Sequence, residues 1–265
     1  MKFIIKTLCL SLIIFTCLNL ASYGNLTCLK AKLYYWVWDY NQDFTTIKLP
    51  RSTGVAYLAA TIHVSNQAII ADSRHCRLVI PNNIPKISVI RIELANKIDI
   101  KNLKQKETIN KINSLILKYA DLNNVEAVQI DYDTRLNERD FYISLIKDLK
   151  TKINNQVQLS ITALASWCLY DTWIKVLPID QIVPMFFTLG NDTNNIIEYF
   201  KESKDINYAK CLNNIGISVN EEKLAKLILK DVYKAKSRPK PVVFIYSPKA
   251  WDKNSLTKTL EYLSY

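Results

Sequence analysis

The sequence is poor in glycine and histidine, and both shortages exclude classes of site. No two of its four glycines are close enough to form a phosphate-binding loop of the P-loop or dinucleotide-binding type. His63 and His75 match no metal-ligand spacing, and the chain has no Cys-x-x-Cys pair. We therefore expect neither a cofactor nor a metal ion.

The first 24 residues have the pattern of a secretory signal peptide. Lys2 and Lys6 precede an apolar run over residues 8–15, and the small residues Ser22 and Gly24 follow. This run is shorter than the ~20 residues that span a bilayer. We expect cleavage after Gly24, no stable membrane span afterwards, and a periplasmic or extracellular domain over residues 25–265; the alternative is an uncleaved membrane anchor.

The chain is basic, with a formal charge of +11 at pH 7. Charge of this sign favours anionic partners such as acidic glycans, envelope polymers or membrane surfaces. The alternative is that the lysines only form the solvated faces of helices. No nucleic-acid-binding motif accompanies the charge, and we expect no nucleic acid partner.

Four cysteines remain after the predicted cleavage: Cys28, Cys76, Cys168 and Cys211. In an oxidising compartment an even number permits one or two disulfides, with three possible pairings. Buried free thiols are the alternative, because a core of this size is stable without disulfides. The sequence does not choose between them, nor does it fix the oligomeric state.

Eight apolar segments of strand length alternate with segments of helical period. This alternation over about 240 residues predicts a single, compact (β/α)8 barrel. A doubly wound open sheet is the alternative, although the glycine-rich first turn common in that fold is missing. The first connection, residues 40–54, is short and contains Pro50, so its helix is expected to be degenerate or replaced by a loop. The segments are Leu33–Trp38, Val55–His63, Ile87–Leu94, Val125–Asp131, Val157–Ala163, Gln181–Phe187, Asn214–Ser218 and Val242–Tyr246.

The fourth segment carries the most informative polar residues. Side chains alternate along a strand, so Gln129, Asp131 and Asp133 share one face and are expected to point into the barrel toward its C-terminal rim, where barrel active sites lie. The two aspartates are attached roughly 6.5–7 Å apart. Like charges at this distance raise a carboxyl pKa and favour a general acid near neutral pH. The alternative is that they cap the next helix or pair with Arg135 or Arg139.

Aromatic residues recur at the predicted strand ends, where a barrel mouth would collect them. Such rings suit stacking against sugars, although each alone is more often part of a core. Glu93 is a candidate second carboxylate across the mouth, or a plain ion-pair partner of Arg91. The candidates for substrate binding are Gln129, Glu93 and the aromatic residues Trp36, Trp38, Trp167, Phe187 and Tyr246.

Several motifs in order resemble the domain-of-unknown-function family 3142. The resemblance covers nearly the whole predicted mature chain and implies a barrel of the glycoside hydrolase group, with no established activity. The motifs are YWVW (35–38), VIRI (89–92), VQIDYD (128–133), LSITALASW (159–167), VPMFF (183–187), IGIS (215–218) and VFIYSPKAW (243–251).

The fourth strand is also similar to the D-x-x-D-x-D-x-E signature of chitinase-like hydrolases. In that alignment Asp131 matches the middle aspartate, Gln129 replaces the one before it, and Asp133 stands where the catalytic glutamate would be. Aspartate is one methylene shorter than glutamate, so the Asp133 carboxyl group extends less far toward a leaving oxygen. A neutral glutamine at position 129 cannot relay negative charge to Asp131. The match of the two aspartates to this signature implies general acid/base hydrolysis of a polysaccharide or glycoconjugate, with Asp133 as proton donor and Asp131 as its partner. A non-catalytic barrel that binds a glycan or an envelope protein is the alternative.

Overall fold

The structure is a computed structural model that describes residues 29–95, 98, 105–120, 122, 124–202, 208–234 and 240–263. The predicted signal peptide and Cys28 lie outside the described residues. Within the described ranges, no helix is long and apolar enough to cross a membrane.

The described residues form eleven strands and six α-helices. The strands are β1 (Leu33–Val37), β2 (Gln42–Asp43), β3 (Thr53–Val64), β4 (Ile69–Ser73), β5 (Leu78–Val79), β6 (Lys86–Leu94), β7 (Val125–Asp131), β8 (Gln158–Leu164), β9 (Gln181–Met185), β10 (Asn214–Ser218) and β11 (Val242–Tyr246). The helices are α1 (Gln105–Ala120), α2 (Arg139–Lys152), α3 (Ala165–Leu169), α4 (Thr193–Lys201), α5 (Glu222–Lys234) and α6 (Lys253–Leu263).

Eight parallel strands close into a barrel. Their order is β1, β11, β10, β9, β8, β7, β6 and β3, and β1 pairs in parallel with both β11 and β3. A sheet whose first strand pairs with its last has no open edge. The predicted (β/α)8 barrel is confirmed, each predicted segment overlaps one barrel strand, and the doubly wound alternative is wrong.

The first two connections between barrel strands contain no α-helix. Both are fully described, and they hold β2, β4 and β5 instead: β4 pairs antiparallel with β3, and β2 pairs with β5. A loop in the first connection was expected from its length and Pro50. The second connection interrupts the alternation of strands and helices, because residues 65–85 have no apolar stripe of helical period that would cover the barrel.

The core has an inner part inside the barrel and an outer part between barrel and helices. Val128 and Ile130 belong to the outer part, whereas Ala127 of the same strand belongs to the inner part. The predicted alternation of β7 is therefore observed.

Aromatic rings fill much of the barrel interior. Tyr34 and Trp36, two residues apart on β1, are buried and pack against Phe244 at ring-centroid distances of 5.0 and 5.2 Å. Gly216 on β10 makes room for them, because a Cβ there would lie 2.9 Å from the Trp36 ring. At the N-terminal end, the Tyr34 hydroxyl donates a hydrogen bond to the buried Glu126 carboxylate. The barrel is therefore filled from its N-terminal end up to the level of Trp36.

One disulfide joins Cys168 on α3 to Cys211 in the 3-10 turn Ala209–Leu212, with a Cα–Cα distance of 5.9 Å. Among the described cysteines, Cys76 has a free, half-buried thiol. The structure thus selects one of the pairings that the sequence left open.

Candidate active site at the C-terminal mouth

A cavity of about 410 Å³ opens at the C-terminal ends of the barrel strands. This is the end at which barrel enzymes bind their substrates. Six of the predicted site residues line it: Trp36, Trp38, Asp131, Asp133, Phe187 and Tyr246. The structure therefore brings together residues from four segments that lie far apart in the sequence.

Asp131 ends β7 and is almost completely buried, with 8% of its surface exposed. Its Oδ1 accepts a hydrogen bond of 2.7 Å from the Thr162 hydroxyl on the neighbouring strand β8. Burial, and then the negative charge of Asp133, raise the pKa of Asp131 to about 6. Asp131 thus keeps a proton at a pH where an ordinary aspartate has lost it.

Asp133 lies two residues beyond Asp131 on the open side of the cavity. Its residue surface is exposed, yet partial desolvation of the carboxyl group still raises its pKa, against an opposing effect of Arg91. The charge of Asp133 thus raises the pKa of the more buried Asp131, whereas the pKa of Asp133 is raised by burial. Burial of a charge costs most where water is farthest away.

Asp133 neither caps the next helix nor pairs with Arg135 or Arg139, which were the predicted alternatives. Arg139 donates to Asp171 at 2.6 Å, and Arg135 lies 3.8 Å from Glu138. Glu138 also accepts the backbone N–H of Arg135 at 2.9 Å, so it caps the turn before α2. Among the described residues, no hydrogen bond or ion pair holds the Asp133 carboxylate.

Gln129 lies below the acid pair and does not line the cavity. The Trp36 Nε1–H donates to its Oε1 at 2.8 Å, and its Nε2–H donates to the Ser160 hydroxyl at 3.1 Å. Both ends of this fully buried amide are therefore used within the barrel. Its position suits orienting Trp36 rather than the direct substrate contact that we expected.

Three half-buried aromatic rings form one wall of the cavity, here called the aromatic wall: Trp38, Phe187 and Tyr246. Phe187 stacks on Tyr246 with centroids 5.2 Å apart and 9° between the ring planes. Trp38 meets Tyr246 edge to face at 5.8 Å. Each ring fixes its neighbour, which presents a preformed apolar surface to a ligand.

Trp167 does not reach the mouth, contrary to our expectation. It belongs to α3, which begins directly after β8, and this first helical turn directs its ring into the outer core. There it packs against Trp173 at 4.9 Å with 3% of its surface exposed. Strand parity does not extend past the end of a strand, and for this reason the sequence misplaced it.

Glu93 lies beside the main cavity rather than in it. It lines a second cavity of about 270 Å³ together with Arg91, Asp131 and Asp133. Its carboxylate contacts the Arg91 Nε at 2.9 Å and the His63 Nδ1 at 3.3 Å. Glu93 is therefore an ion-pair partner of Arg91 rather than a free carboxylate.

Several residues of the cavity escaped the sequence analysis, among them Thr162 and Asp192. Thr162 alternates with Ser160 on β8, so strand parity could have found it. Asp192 follows β9 in the 3-10 turn Gly190–Asp192, where no periodicity applies. Within the part of the chain that the structure describes, no group of three or more His, Cys, Asp and Glu side chains is arranged to hold a metal ion.

Residues 82–182 match the family described as "Domain of unknown function (DUF3142)". This span contains β6, β7 and β8, and with them the acid pair. The resemblance stated from the sequence motifs is therefore confirmed over this part of the chain. No curated protein sequence matches the chain.

Solved structures of other proteins are similar in fold to different degrees. A complex of a GH113 β-1,4-mannanase superposes with a TM-score of 0.52 at 11% identity, over 90% of this chain and 100% of that chain. The Bacillus cereus spore cortex-lytic enzyme SleL gives a TM-score of 0.40 at 14% identity, over 71% of this chain and 50% of that one. The chitinase domain of the spore coat protein CotE from Clostridium difficile gives 0.41 at 14%, over 86% and 67%. The mannanase likeness shows the fold alone, a (β/α)8 barrel.

Proposed function

We propose that this protein is an exported glycosidase that hydrolyses a polysaccharide or glycoconjugate in the mouth cavity. The observation that carries the proposal is a pair of carboxyl groups with raised pKa values, Asp131 and Asp133, facing a cavity with an aromatic wall. Perturbed carboxyl groups in a cleft are typical of general acid/base sites.

Asp133 is the proton donor, because it is the more accessible of the two carboxyl groups and has no partner among the described residues. When protonated, it gives its proton to the glycosidic oxygen as the bond to the anomeric carbon breaks. A water molecule then adds its hydroxyl to that carbon, and the proton it loses returns to the acid pair. Asp131 supports this cycle, since its raised pKa lets it hold a proton beside Asp133 at a pH where an ordinary aspartate is ionised.

The aromatic wall supplies the surface for the sugar. The apolar face of a pyranose ring stacks on aromatic side chains, and the wall's three rings are already fixed in place by one another. Preformed rings lose little conformational entropy when a ligand binds. This arrangement supports a carbohydrate ligand.

The disulfide supports the export part of the proposal. Cys168 and Cys211 are bonded, and disulfides persist in oxidising compartments but are rare in the cytosol. The signal-peptide pattern of residues 1–24 predicts the same location independently of the disulfide.

A non-catalytic barrel that binds a glycan or an envelope protein is the second candidate. The observation favouring it is Gln129, whose neutral amide is held at both ends by Trp36 and Ser160 and cannot assist Asp131 as a carboxylate would. In this reading the cavity and the aromatic wall keep their ligand but no bond is cleaved.

The test is a binding and hydrolysis screen over a broad panel of glycans with the parent protein and the Asp133→Asn variant. We expect the variant to lose turnover while its glycan binding and thermal stability stay close to those of the parent, because the substitution removes a titratable proton at nearly constant volume. Asp140→Asn, an exposed change on α2 outside the cavity, is the matched control and should retain turnover.

Full activity of Asp133→Asn would refute the role given to this residue. A parent protein that binds a glycan without cleaving it, and loses that binding on Trp38→Ala, would establish the second candidate instead.

A further inference from the structure

The cavity is acidic although the protein is strongly basic. Its charged lining residues are Asp131, Asp133, Asp192 and Arg91, in a chain whose formal charge is +11. Arg91 is the one cation among these lining residues, and the Glu93 carboxylate already contacts its guanidinium at 2.9 Å. The charge of Arg91 also acts on Asp131 and Asp133, so Asp192 is the lining carboxylate that this cation leaves available to a ligand.

Asp192 is the carboxylate best placed to recognise a cation. It is exposed, it lines the cavity from the turn after β9, and it has no hydrogen bond or ion pair to its side chain among the described residues. Strand β8 lies between β9 and β7, so Asp192 reaches the cavity from a different connection than Asp131 and Asp133 do. Phe187 of the aromatic wall lies on the same connection, just after β9.

We propose that the sugar polymer taken by this cavity carries protonated amino groups, as a de-N-acetylated amino sugar does, and that Asp192 binds the ammonium while the aromatic wall stacks on the ring. This proposal rests on the proposed carbohydrate-processing function and names its substrate class. Sugars that bear carboxylates are disfavoured at the same position, because the Asp192 carboxylate would repel them.

The separation of Asp192 from Asp133 is what makes this compatible with acid catalysis. An ammonium group beside Asp133 would favour its ionised form and remove the proton that the reaction needs. An ammonium held by Asp192 leaves Asp133 free to act on the glycosidic oxygen.

The positive net charge of the protein helps to distinguish specific binding of a cationic sugar from non-specific attraction. A polycation is repelled by a protein of net positive charge, so non-specific attraction cannot explain its binding. Affinity for a cationic oligosaccharide must come from a local acidic site.

The experiment is calorimetric titration of the full-length protein with three hexasaccharides: glucosamine (cationic), N-acetylglucosamine (neutral) and galacturonate (anionic). We expect the glucosamine hexamer to bind at least about tenfold more tightly than the neutral one, and galacturonate not to bind. Asp192→Asn should weaken glucosamine binding about tenfold and leave N-acetylglucosamine binding unchanged. Glu198→Gln on α4 is the matched control: it changes the net charge equally, lies outside the cavity, and should alter neither affinity.

Equal or tighter binding of the neutral hexamer overturns the amine selectivity, as does an equal effect of Asp192→Asn and Glu198→Gln. In either case, glycan hydrolysis in the broad screen would leave the proposed function standing. Binding of none of the three hexamers also counts against the proposal, and the absence of any glycan binding in the screen would overturn the proposed function with it.

Discussion

A buried carboxyl group that ionises near neutral pH costs folding free energy, and Asp131 is such a group. Its pKa of about 6 lies above the ordinary value of 3.8, so the folded state binds more protons than the unfolded state between these two pH values. Stability therefore falls as the pH rises from about 4 to about 6, and it stays lower above that range. The cost is concentrated where the proposed chemistry needs it.

Asp131→Asn should stabilise the protein at pH 8 and leave it nearly unchanged at pH 4. Two pKa units correspond to up to about 3 kcal/mol, and the asparagine oxygen can still accept the Thr162 hydroxyl. Urea unfolding at the two pH values measures this difference. The control Asp192→Asn removes an exposed carboxylate and should change the free energy of unfolding by less than about 0.5 kcal/mol at either pH. A gain of the same size at both pH values would show that Asp131 carries no such cost.

The two-residue repeat of side chains along a strand predicted most residues of the site. Asp131 and Asp133 were found because alternate residues share a face, and Trp36 and Trp38 follow the same rule on β1. Trp167 was misplaced because the chain turns into a helix directly after β8, where a period of two no longer applies. Asp192 could not be found, since only the folded barrel brings the turn after β9 to the mouth.

Among the elements, α3 depends most on a single covalent link. It has five residues, too few to be stable alone, and its first two residues, Ala165 and Ser166, line the cavity. The disulfide from Cys168 ties it to the turn that precedes β10, 43 residues further along the chain. The wall of the cavity beside β8 is therefore held by the bond as well as by packing.

Reduction of this disulfide should lower the thermal midpoint. A loop of this length gives an entropic stabilisation of about 4 kcal/mol in the simple chain model. Thermal unfolding with and without dithiothreitol measures it, and the Cys168→Ala/Cys211→Ala double variant should unfold at the same temperature in both conditions. Cys76→Ala is the control for the free thiol and should keep the full response to reductant. An unchanged midpoint of the parent after complete reduction would contradict the prediction.

The strands and helices could be predicted where their own sequence repeats with the period of a strand or of a helix. All eight barrel strands are short apolar runs, and the stripes of α1, α2 and α5 cover the barrel as expected. The hairpin-like connection containing β4 and β5 was not foreseen, because its short strands gain their stability from pairing with β3 and β2 rather than from a pattern of their own.

For the whole molecule, the prediction that remains from the sequence is export with removal of residues 1–24. Material recovered outside the cytoplasm should begin at Asn25, because small residues precede that position and the apolar run is too short to span a bilayer. N-terminal sequencing of the exported protein tests it, with the cytoplasmic precursor as the reference. Intact Met1 in the membrane fraction would favour the anchor instead.

The filled interior of the barrel has a kinetic consequence. Trp36 and Gln129 are fully buried beneath the cavity, and Tyr34 and Phe244 pack below them, so the cavity ends inside the protein rather than passing through it. A ligand must leave through the opening by which it entered, and a bound product therefore occupies the place of the next substrate. If the protein is a hydrolase, added product should raise the apparent KM and leave kcat unchanged, as initial-rate measurements at several product concentrations will show. A fall in kcat at constant KM would mean that product binds at a second site, apart from the place of the substrate, and would contradict this prediction.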